Sequence, residues 1–164
     1  MIVIGSDEVH VDLLKTTFGC FPSGVTAMCA MIDGSPVGMA ASSFTSVSLS
    51  PPLISICIAN SSTTWPLLRS ASHLGLSILG AEHEGAARQL ASKSRDRFTG
   101  LGTDTAESGA IFLEGSSAWL ECSVYEEIAA GDHALLLLKV SGVLPFPHVS
   151  PLVFHGSAFR QMGS

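Results

Sequence analysis

Short apolar segments separated by strong turn signals constrain the fold of this sequence most. Val25 to Ile32 is typical of a buried strand, and the following Asp33-Gly34 favours a two-residue hairpin turn. A second strand is predicted from Val37 to Leu49. Pro51-Pro52 ends that strand, and a third is predicted from Leu53 to Ala59. Because hairpins join neighbouring antiparallel strands, this part of the chain predicts an antiparallel sheet.

The rest of the chain predicts further strands, with helices at their edges. The strands are expected at Leu74 to Leu79, Ala118 to Glu126, Ala134 to Val143 and Leu152 to Phe159. Helices are expected from Ser6 to about Phe18, near Ser62 to Ser70 and from about Glu82 to Ser92, where Ala86, Ala87 and Leu90 should face inward. Gly100 to Gly109 is predicted to be a loop. About seven such strands predict a mainly β, single domain over residues 1–164, closed into an antiparallel barrel.

The composition favours a hidden apolar surface. Hydrophobic residues make up 46% of the 164 residues and charged residues 13%, which is apolar for a monomer of this size. We therefore expect a homodimer. The longest apolar runs, such as Leu135 to Leu138, are too short to span a membrane, and Met1 to Gly5 does not resemble a signal peptide. We expect a cytoplasmic protein without membrane contact, in which Cys20, Cys29, Cys57 and Cys122 are buried free thiols.

Charge and motif content exclude several classes of function. A net charge of −6 argues against nucleic-acid binding. Lys93, Arg95 and Arg97 nevertheless form a cationic cluster, which is either an anion site or a solvated helix end. The histidines lack the spacing of metal ligands, so no metal site is predicted. No residue set indicates nucleophilic catalysis, and an esterase reaction has no His–acid pairing to support it.

Two hydroxyl-rich blocks remain as candidate binding sequences. Gly38 to Ser48 clusters small side chains on both faces of a strand, which would let a planar ring approach the backbone. Asn60 to Trp65 follows a buried strand and enters a helix, so its hydroxyls and the N–H groups of the helix start would hold a phosphate. The simpler interpretation of the second block is a Ser-rich turn with a helix cap. Trp65 and Trp119 are expected to be packing residues.

These blocks, taken with other short motifs in the same order, resemble the flavin reductase-like family, the reductase components of two-component flavin monooxygenases. The matching motifs are Phe21 to Thr26, Gly38 to Ser48 with Pro51 to Leu53, Asn60 to Trp65, Asp96 to Phe98, Leu120 to Cys122 and Gly131 to His133. The resemblance covers about residues 18–159. It implies a split β-barrel that binds FMN or FAD, commonly as a homodimer. It also implies reduction of the flavin by NADH or NADPH and delivery of the reduced flavin to a partner monooxygenase.

The resemblance also assigns roles to individual residues. The isoalloxazine edge would be lined by Ala41, Ser42 and Ser43, with Thr26 nearby. The remaining flavin-binding residues would be Ser46, Ser48, Asn60, Ser61, Ser62 and Thr63 towards the ribityl chain and phosphate, with Arg97 and Phe98 closing over the nucleotide. The nicotinamide would enter beside His133, Phe154 and His155.

Hydride transfer between nicotinamide and flavin is cofactor chemistry, so the lack of an acid–base constellation is expected. His133 would be the catalytic candidate if it orients the nicotinamide, and otherwise a turn residue bonded to Asp132. Two other functions remain open. One is a flavin-retaining oxidoreductase of the same barrel, and the other is a non-catalytic flavin-binding module.

Overall fold

The computed structural model describes residues 10–94 and 96–162, and in these the chain forms twelve strands and three α-helices. The helices are α1 (Val11–Gly19), α2 (Trp65–Leu68) and α3 (Glu84–Ala91), the last preceded by a 3-10 turn at Ala81–His83. The strands are β1 (Ser23–Gly24), β2 (Thr26–Ile32), β3 (Ser35–Ala41), β4 (Thr45–Leu49), β5 (Pro52–Ala59), β6 (Leu74–Ile78), β7 (Thr103–Thr105), β8 (Ile111–Leu113), β9 (Ala118–Ala130), β10 (His133–Pro145), β11 (Leu152–His155) and β12 (Ala158–Gln161).

Seven antiparallel strands form the main sheet, in the order β3-β2-β6-β9-β10-β5-β4. The β2–β3 hairpin has the predicted two-residue turn, since Asp33 and Gly34 both take positive φ, 49° and 78°. A second sheet, β1-β11-β12, lies beside the main one. These sheets form the mainly β, antiparallel split barrel that the sequence predicts.

Strand β2 separates two apolar cores. Met28 faces the barrel interior, where it joins Ile56 of β5 and Leu136 of β10. Cys29 faces the other core, which Leu90 of α3 helps to form. Both faces of β2 are therefore buried from Thr26 to Ala30, as the prediction of a buried strand requires. Each fully buried leucine contributes about 1.5–3 kcal/mol to folding. Helix α3 is thereby fixed against β2 and β3.

The prediction of one strand from Val37 to Leu49 is wrong. Residues 42–44 separate β3 from β4, and β4 pairs only with β5. Ser43 bridges the break: its Oγ accepts a hydrogen bond from Cys57 N at 2.9 Å and donates to Cys57 O at 3.1 Å. The Ser43 side chain thus makes the hydrogen bonds that a neighbouring strand would otherwise make to Cys57. The chain can change direction here without leaving the Cys57 backbone unpaired.

Other predicted elements differ in their bounds. The strand predicted from Leu152 to Phe159 is a hairpin, because Gly156 and Ser157 take positive φ and turn the chain. The loop predicted from Gly100 to Gly109 contains β7, which pairs with the unpredicted β8. Strands β9 and β10 extend beyond their predicted ends, whereas α2 is shorter than predicted. The start of the first predicted helix, with Ser6, lies outside the described residues.

The tryptophans pack as predicted, and the cysteines only in part. Trp65 is buried in the barrel core, and the Trp119 ring stacks on that of Phe112 with 5.2 Å between centroids. All four cysteines are free thiols. Cys20 is exposed rather than buried, because it follows α1 on the surface, and Cys57 is half-buried. Within the described residues, no helix has the length and apolarity that a membrane crossing requires.

Candidate functional site

A cleft between the end of β3 and helix α3 is walled by small side chains. Ala40 and Ala41 line it from β3, Ser42 from the segment that follows β3, and Ala87 and Ala91 from α3. Ala87 and Ala91 lie four residues apart, so they share one face of the helix. The resulting cavity of about 200 Å³ lies between these two walls, because none of these five side chains extends beyond Cβ or a hydroxyl. We call it the ring cavity.

Two phenylalanines of the second sheet complete the ring cavity. Phe154 and Phe159 both line it and contact each other edge-to-face, with 5.2 Å between ring centroids. The guanidinium of Arg88 lies 4.9 Å from the centroid of the Phe159 ring and is also bonded to Glu84. These contacts hold the apolar end of the cavity in place.

A polar region of about 240 Å³ adjoins the ring cavity and shares Ala40 and Ala91 with it. Its polar lining consists of Ser61, Ser62, Thr63, Thr64, Ser92, Lys93 and Arg97. Two cations among several hydroxyls form a donor set suited to an anion such as a phosphate. We call it the phosphate region. Lys93 and Arg97 of the predicted cationic cluster both line it, whereas Arg95 lies outside the described residues.

Arg97 is fixed from several sides. Its Nη1 donates to Thr64 Oγ1 at 2.8 Å and to the carbonyl oxygen of Gly38 at 3.2 Å. The preceding residue, Asp96, organises the loop, since its carboxylate accepts hydrogen bonds from Thr99 Oγ1 and from the amides of Thr99 and Phe98. These hydrogen bonds, that of the Thr99 hydroxyl first, lower the pKa of Asp96. The carboxylate form therefore orders the segment that positions Arg97.

Comparison with known proteins identifies the family. Residues 18–163 match the model of the flavin reductase like domain. The chain belongs to the flavin reductase-like family. A flavin reductase of Pseudomonas putida is 35% identical over 88% of this chain and 86% of its own length. An NADH-dependent FAD reductase of Streptomyces globisporus is 38% identical over 90% of this chain and 84% of that protein.

Solved structures agree with this assignment. The NADH:FAD oxidoreductase of Streptomyces globisporus C-1027, solved in complex with NAD and FAD fragments, has a TM-score of 0.88 and 36% identity over 94% of this chain and 93% of that one. The flavin reductase component of a bacterial two-component tryptophan halogenase has a TM-score of 0.86 and 32% identity over 93% and 98%. The predicted class of activity, NAD(P)H-dependent flavin reduction, is confirmed, as are the predicted flavin and nicotinamide cofactors.

The residues of this flavin reductase fit a flavin nucleotide. The ring cavity has the small side chains that a flat ring needs in order to reach the backbone. The phosphate region next to it supplies side-chain cations and hydroxyls. The sequence analysis also expected N–H groups at the start of α2 to hold the phosphate. We do not include them in this fit, because α2 has only four residues.

Seven of the predicted site residues line the ring cavity or the phosphate region: Ala41, Ser42, Ser61, Ser62, Thr63, Arg97 and Phe154. The Ser62 hydroxyl also accepts a hydrogen bond from Trp65 N at 3.1 Å. The simpler interpretation, a cap on α2, therefore also holds for Ser62. Phe98 lies close to Gly38, where an added Cβ would come within 2.8 Å of its ring. It also lines an adjoining cavity with Arg97.

Two other predicted residues lie beside the ring cavity with their hydroxyls engaged. Thr26 Oγ1 donates to the carbonyl oxygen of Ala41 at 3.0 Å, which fixes the end of β3. Ser43 bonds both backbone groups of Cys57, as described above. Both side chains support the wall of the ring cavity.

The remaining predicted residues do not line these two regions. Ser46 and Ser48 lie on edge strand β4, and His155 is exposed at the end of β11. Asn60 donates to the Gly131 carbonyl at 3.2 Å, and His133 Nδ1 lies 2.7 Å from Asp132 Oδ1. The hydrogen bond to His133 lowers the pKa of Asp132. The structure thus gives His133 the turn contact that the sequence analysis held open.

Sequence reasoning missed the α3 side of the site. Ala87 was expected to face the core, and Ala91 and Phe159 were not predicted to line a cavity. The available signal was the pair of alanines at helical spacing, followed directly by the cationic cluster. This signal could be interpreted only with knowledge that α3 packs against β3, a contact between residues more than forty positions apart in sequence.

Proposed function

We propose that this chain uses NADH to reduce FAD and releases the reduced flavin to a separate monooxygenase. The observation that carries the proposal is the continuity of the ring cavity with the phosphate region through Ala40 and Ala91. Such a cleft matches one ligand with a flat ring at one end and an anion at the other. When bound, the flavin accepts a hydride from the nicotinamide and carries its electrons onward.

The chain's own residues would bind and orient both nucleotides. Lys93 and Arg97 would pair with the flavin phosphate, and the hydroxyls of Ser61 and Thr63 would donate to it. Ala41 and Ser42 would bring the backbone against the ring edge, where N–H groups stabilise negative charge. Phe154 would exclude water from the open face. Five predicted site residues lie away from the cleft of a single chain: Ser46, Ser48, Asn60, His133 and His155. We propose that they contact the ligands only if a second copy of the chain brings them to the cleft.

A further cavity favours FAD over FMN. It has a volume of about 280 Å³ and shares Thr64, Lys93 and Arg97 with the phosphate region. Val37 and Leu67 give it an apolar side, suited to the adenosine part of FAD. The similarity to an NADH-dependent FAD reductase supports FAD as the flavin and NADH as the hydride donor.

We further propose a homodimer in the reducing cytoplasm. Residues 124–130 of β9 are exposed on both faces of the strand, although Val124, Tyr125 and Ile128 are apolar. Leu49, at the end of edge strand β4, is 95% exposed. A second copy would cover such surfaces. The four free thiols fit a reducing compartment.

Steady-state NADH oxidation with excess FAD, with and without oxygen, tests the proposed function. A flavin reductase consumes many equivalents of both nucleotides and releases reduced FAD. FMN and NADPH serve as comparison substrates and should give lower kcat/KM. A single stoichiometric reduction of tightly held flavin would instead support the flavin-retaining oxidoreductase. Flavin binding without NADH oxidation would support the non-catalytic module.

A further inference from the structure

We propose that His83 is a positioning residue for the flavin site, and that protonation of its side chain weakens flavin binding. The inference rests on the proposed function and adds a pH-sensitive element to it. His83 ends the 3-10 turn that leads into α3. It does not line the ring cavity or the phosphate region. It therefore acts on the flavin only through the elements that it holds in place.

The hydrogen bonds of His83 require one neutral form of its ring. Nδ1 accepts a hydrogen bond from the backbone N of Gly80 at 3.1 Å. Nε2 lies 2.9 Å from the carbonyl oxygen of Glu114. Because an amide N–H only donates and a carbonyl oxygen only accepts, Nδ1 must be unprotonated and Nε2 must carry the hydrogen. The cationic ring has a hydrogen on both nitrogens, so it cannot keep the bond from Gly80.

Three segments of the chain meet at Gly80, a contact point that we call the Gly80 junction. Gly80 pairs with Pro151 in a single antiparallel bridge, directly before β11. An added Cβ at Gly80 would come within 2.5 Å of the carbonyl oxygen of Gly115, so the turn between β8 and β9 also lies against it. His83 bonds to Gly80 with one ring nitrogen and to that turn with the other. Its ring therefore ties the segments together.

The Gly80 junction precedes two elements that line the ring cavity. Helix α3 begins directly after His83 and carries Ala87 and Ala91 at the cavity. Strand β11 begins directly after Pro151 and carries Phe154 at the cavity. Because Gly80 is buried, protonation of His83 would leave the Gly80 amide without its acceptor and place a second donor against it. The junction would then hold α3 and β11 less firmly, and the cavity would fit the flavin less well.

The charged and titratable side chains around His83 do not set its protonation through hydrogen bonds of their own. Those on its own turn and on the elements next to it are all exposed: Glu82, Glu84, Arg88, Glu114 and His148. Glu84 is paired with Arg88 at 2.8 Å. The Glu114 carboxylate lies beside Gly102, where an added Cβ would come within 2.7 Å of its Oε2. Exposed charges act weakly through solvent, so the two backbone partners of His83 decide which form of the ring is stable.

The cleft itself gives no reason for flavin affinity to change near neutral pH. In the described residues, the linings of the ring cavity and the phosphate region contain neither a histidine nor a carboxylate. Their charged residues are Lys93 and Arg97, and lysine and arginine titrate far above neutral pH. FAD is the suitable probe, because its diphosphate lacks the proton that a phosphate monoester such as FMN gains near pH 6. A loss of FAD affinity on mild acidification therefore reports a group outside the cleft.

Titration of FAD into the whole protein at about pH 7.5 and about pH 5.5 tests the proposal. The affinity of the unaltered protein should fall by about fivefold on acidification. His83→Asn places a non-titrating acceptor near the position of Nδ1 and should bind FAD equally at both pH values. His148→Asn, at an exposed histidine before β11, is the matched control and should lose affinity as the unaltered protein does.

Nitrogen-15 NMR of the histidine rings keeps the proposal testable even if His83→Asn impairs folding. At about pH 7.5, His83 of the unaltered protein should carry its hydrogen on Nε2. A hydrogen on Nδ1, equal FAD affinities of the unaltered protein at both pH values, or an unchanged pH dependence in His83→Asn would each overturn the role of His83. Failure of the proposed function gives a different result, since the unaltered protein would then bind no FAD at either pH.

Discussion

Cys29 has an environment that changes its chemistry. It lies in β2 against Gly38 of β3, where an added Cβ would meet its Sγ at 2.6 Å. Burial raises the pKa of this thiol to about 12. Burial, with the nearby Glu121 carboxylate, likewise raises the pKa of Cys122 to about 12. Both thiols therefore stay protonated and unreactive at neutral pH.

We predict that the free energy of unfolding falls as pH rises from about 9 towards 12. In that window the folded protein keeps the Cys29 proton and the unfolded chain loses it, so each such thiol lowers stability by about 1.4 kcal/mol per pH unit. Urea denaturation at several alkaline pH values measures the slope. Cys29→Ala should make the slope shallower, whereas Cys20→Ala, at an exposed site, should not. Equal slopes for all three proteins would disprove the assigned environment of Cys29.

The burial of single residues could be predicted only where they stand in a clear apolar run. The apolar run containing Cys29 fixed its place in a central strand. Cys20 was misassigned because its position after a surface helix depends on how α1 meets the barrel. Similarly, the hydroxyl of Ser43 gave no sign in sequence that it would bond the backbone of Cys57 rather than a ligand.

The break between β3 and β4 is the most consequential feature at the level of elements. It places Ala41 and Ser42 at the ring cavity and leaves β4 as an edge strand. Sequence patterning did not predict it, since Ser42 and Ser43 are as small as the residues before them and neither proline nor glycine stands in residues 42–44. The β2–β3 hairpin was predictable because Asp33-Gly34 has an intrinsic preference for its turn.

Ser43→Ala should lower the free energy of unfolding by about 1–3 kcal/mol, because it leaves the Cys57 amide of a half-buried strand without its acceptor. Thermal or urea denaturation measures the change. Ser46→Ala, exposed on β4, removes the same atom and should change stability by less than about 0.5 kcal/mol. Similar losses for the two variants would show that Ser43 does not support the break.

The molecule as a whole presents apolar surface that the described chain leaves uncovered, mainly on β9, β10 and β4. We predict that Ile128→Asp converts the proposed dimer to a monomer, because a carboxylate would be desolvated at the proposed interface. Light scattering with size-exclusion chromatography measures the mass. Met31→Asp, at an exposed position on the hairpin end of β2, should leave the dimer intact. A monomeric unaltered protein, or a dimer that survives Ile128→Asp, would refute this interface.

The cleft depends on the whole fold, because its two walls come from distant parts of the chain. The small residues of β3 were recognisable as a ring-binding block, and the cationic cluster as a candidate anion site. Their meeting across α3 depends on the packing of Leu90 and Ala87 against β2, which local periodicity does not specify. Family resemblance supplied the roles, and the structure distinguished the residues that line the cleft from those that brace it.

A titration of FAD into the protein tests the central claim most directly, with Ala91→Leu as the decisive variant. Ala91 is exposed at the end of α3 and lines both the ring cavity and the phosphate region, so a leucine there should fill the cleft without disturbing the core. We predict that Ala91→Leu weakens FAD binding by at least about tenfold. Gly85→Leu, on the open side of α3, should bind FAD as the unaltered protein does. No FAD binding by the unaltered protein, or equal affinities for all three, would contradict the account.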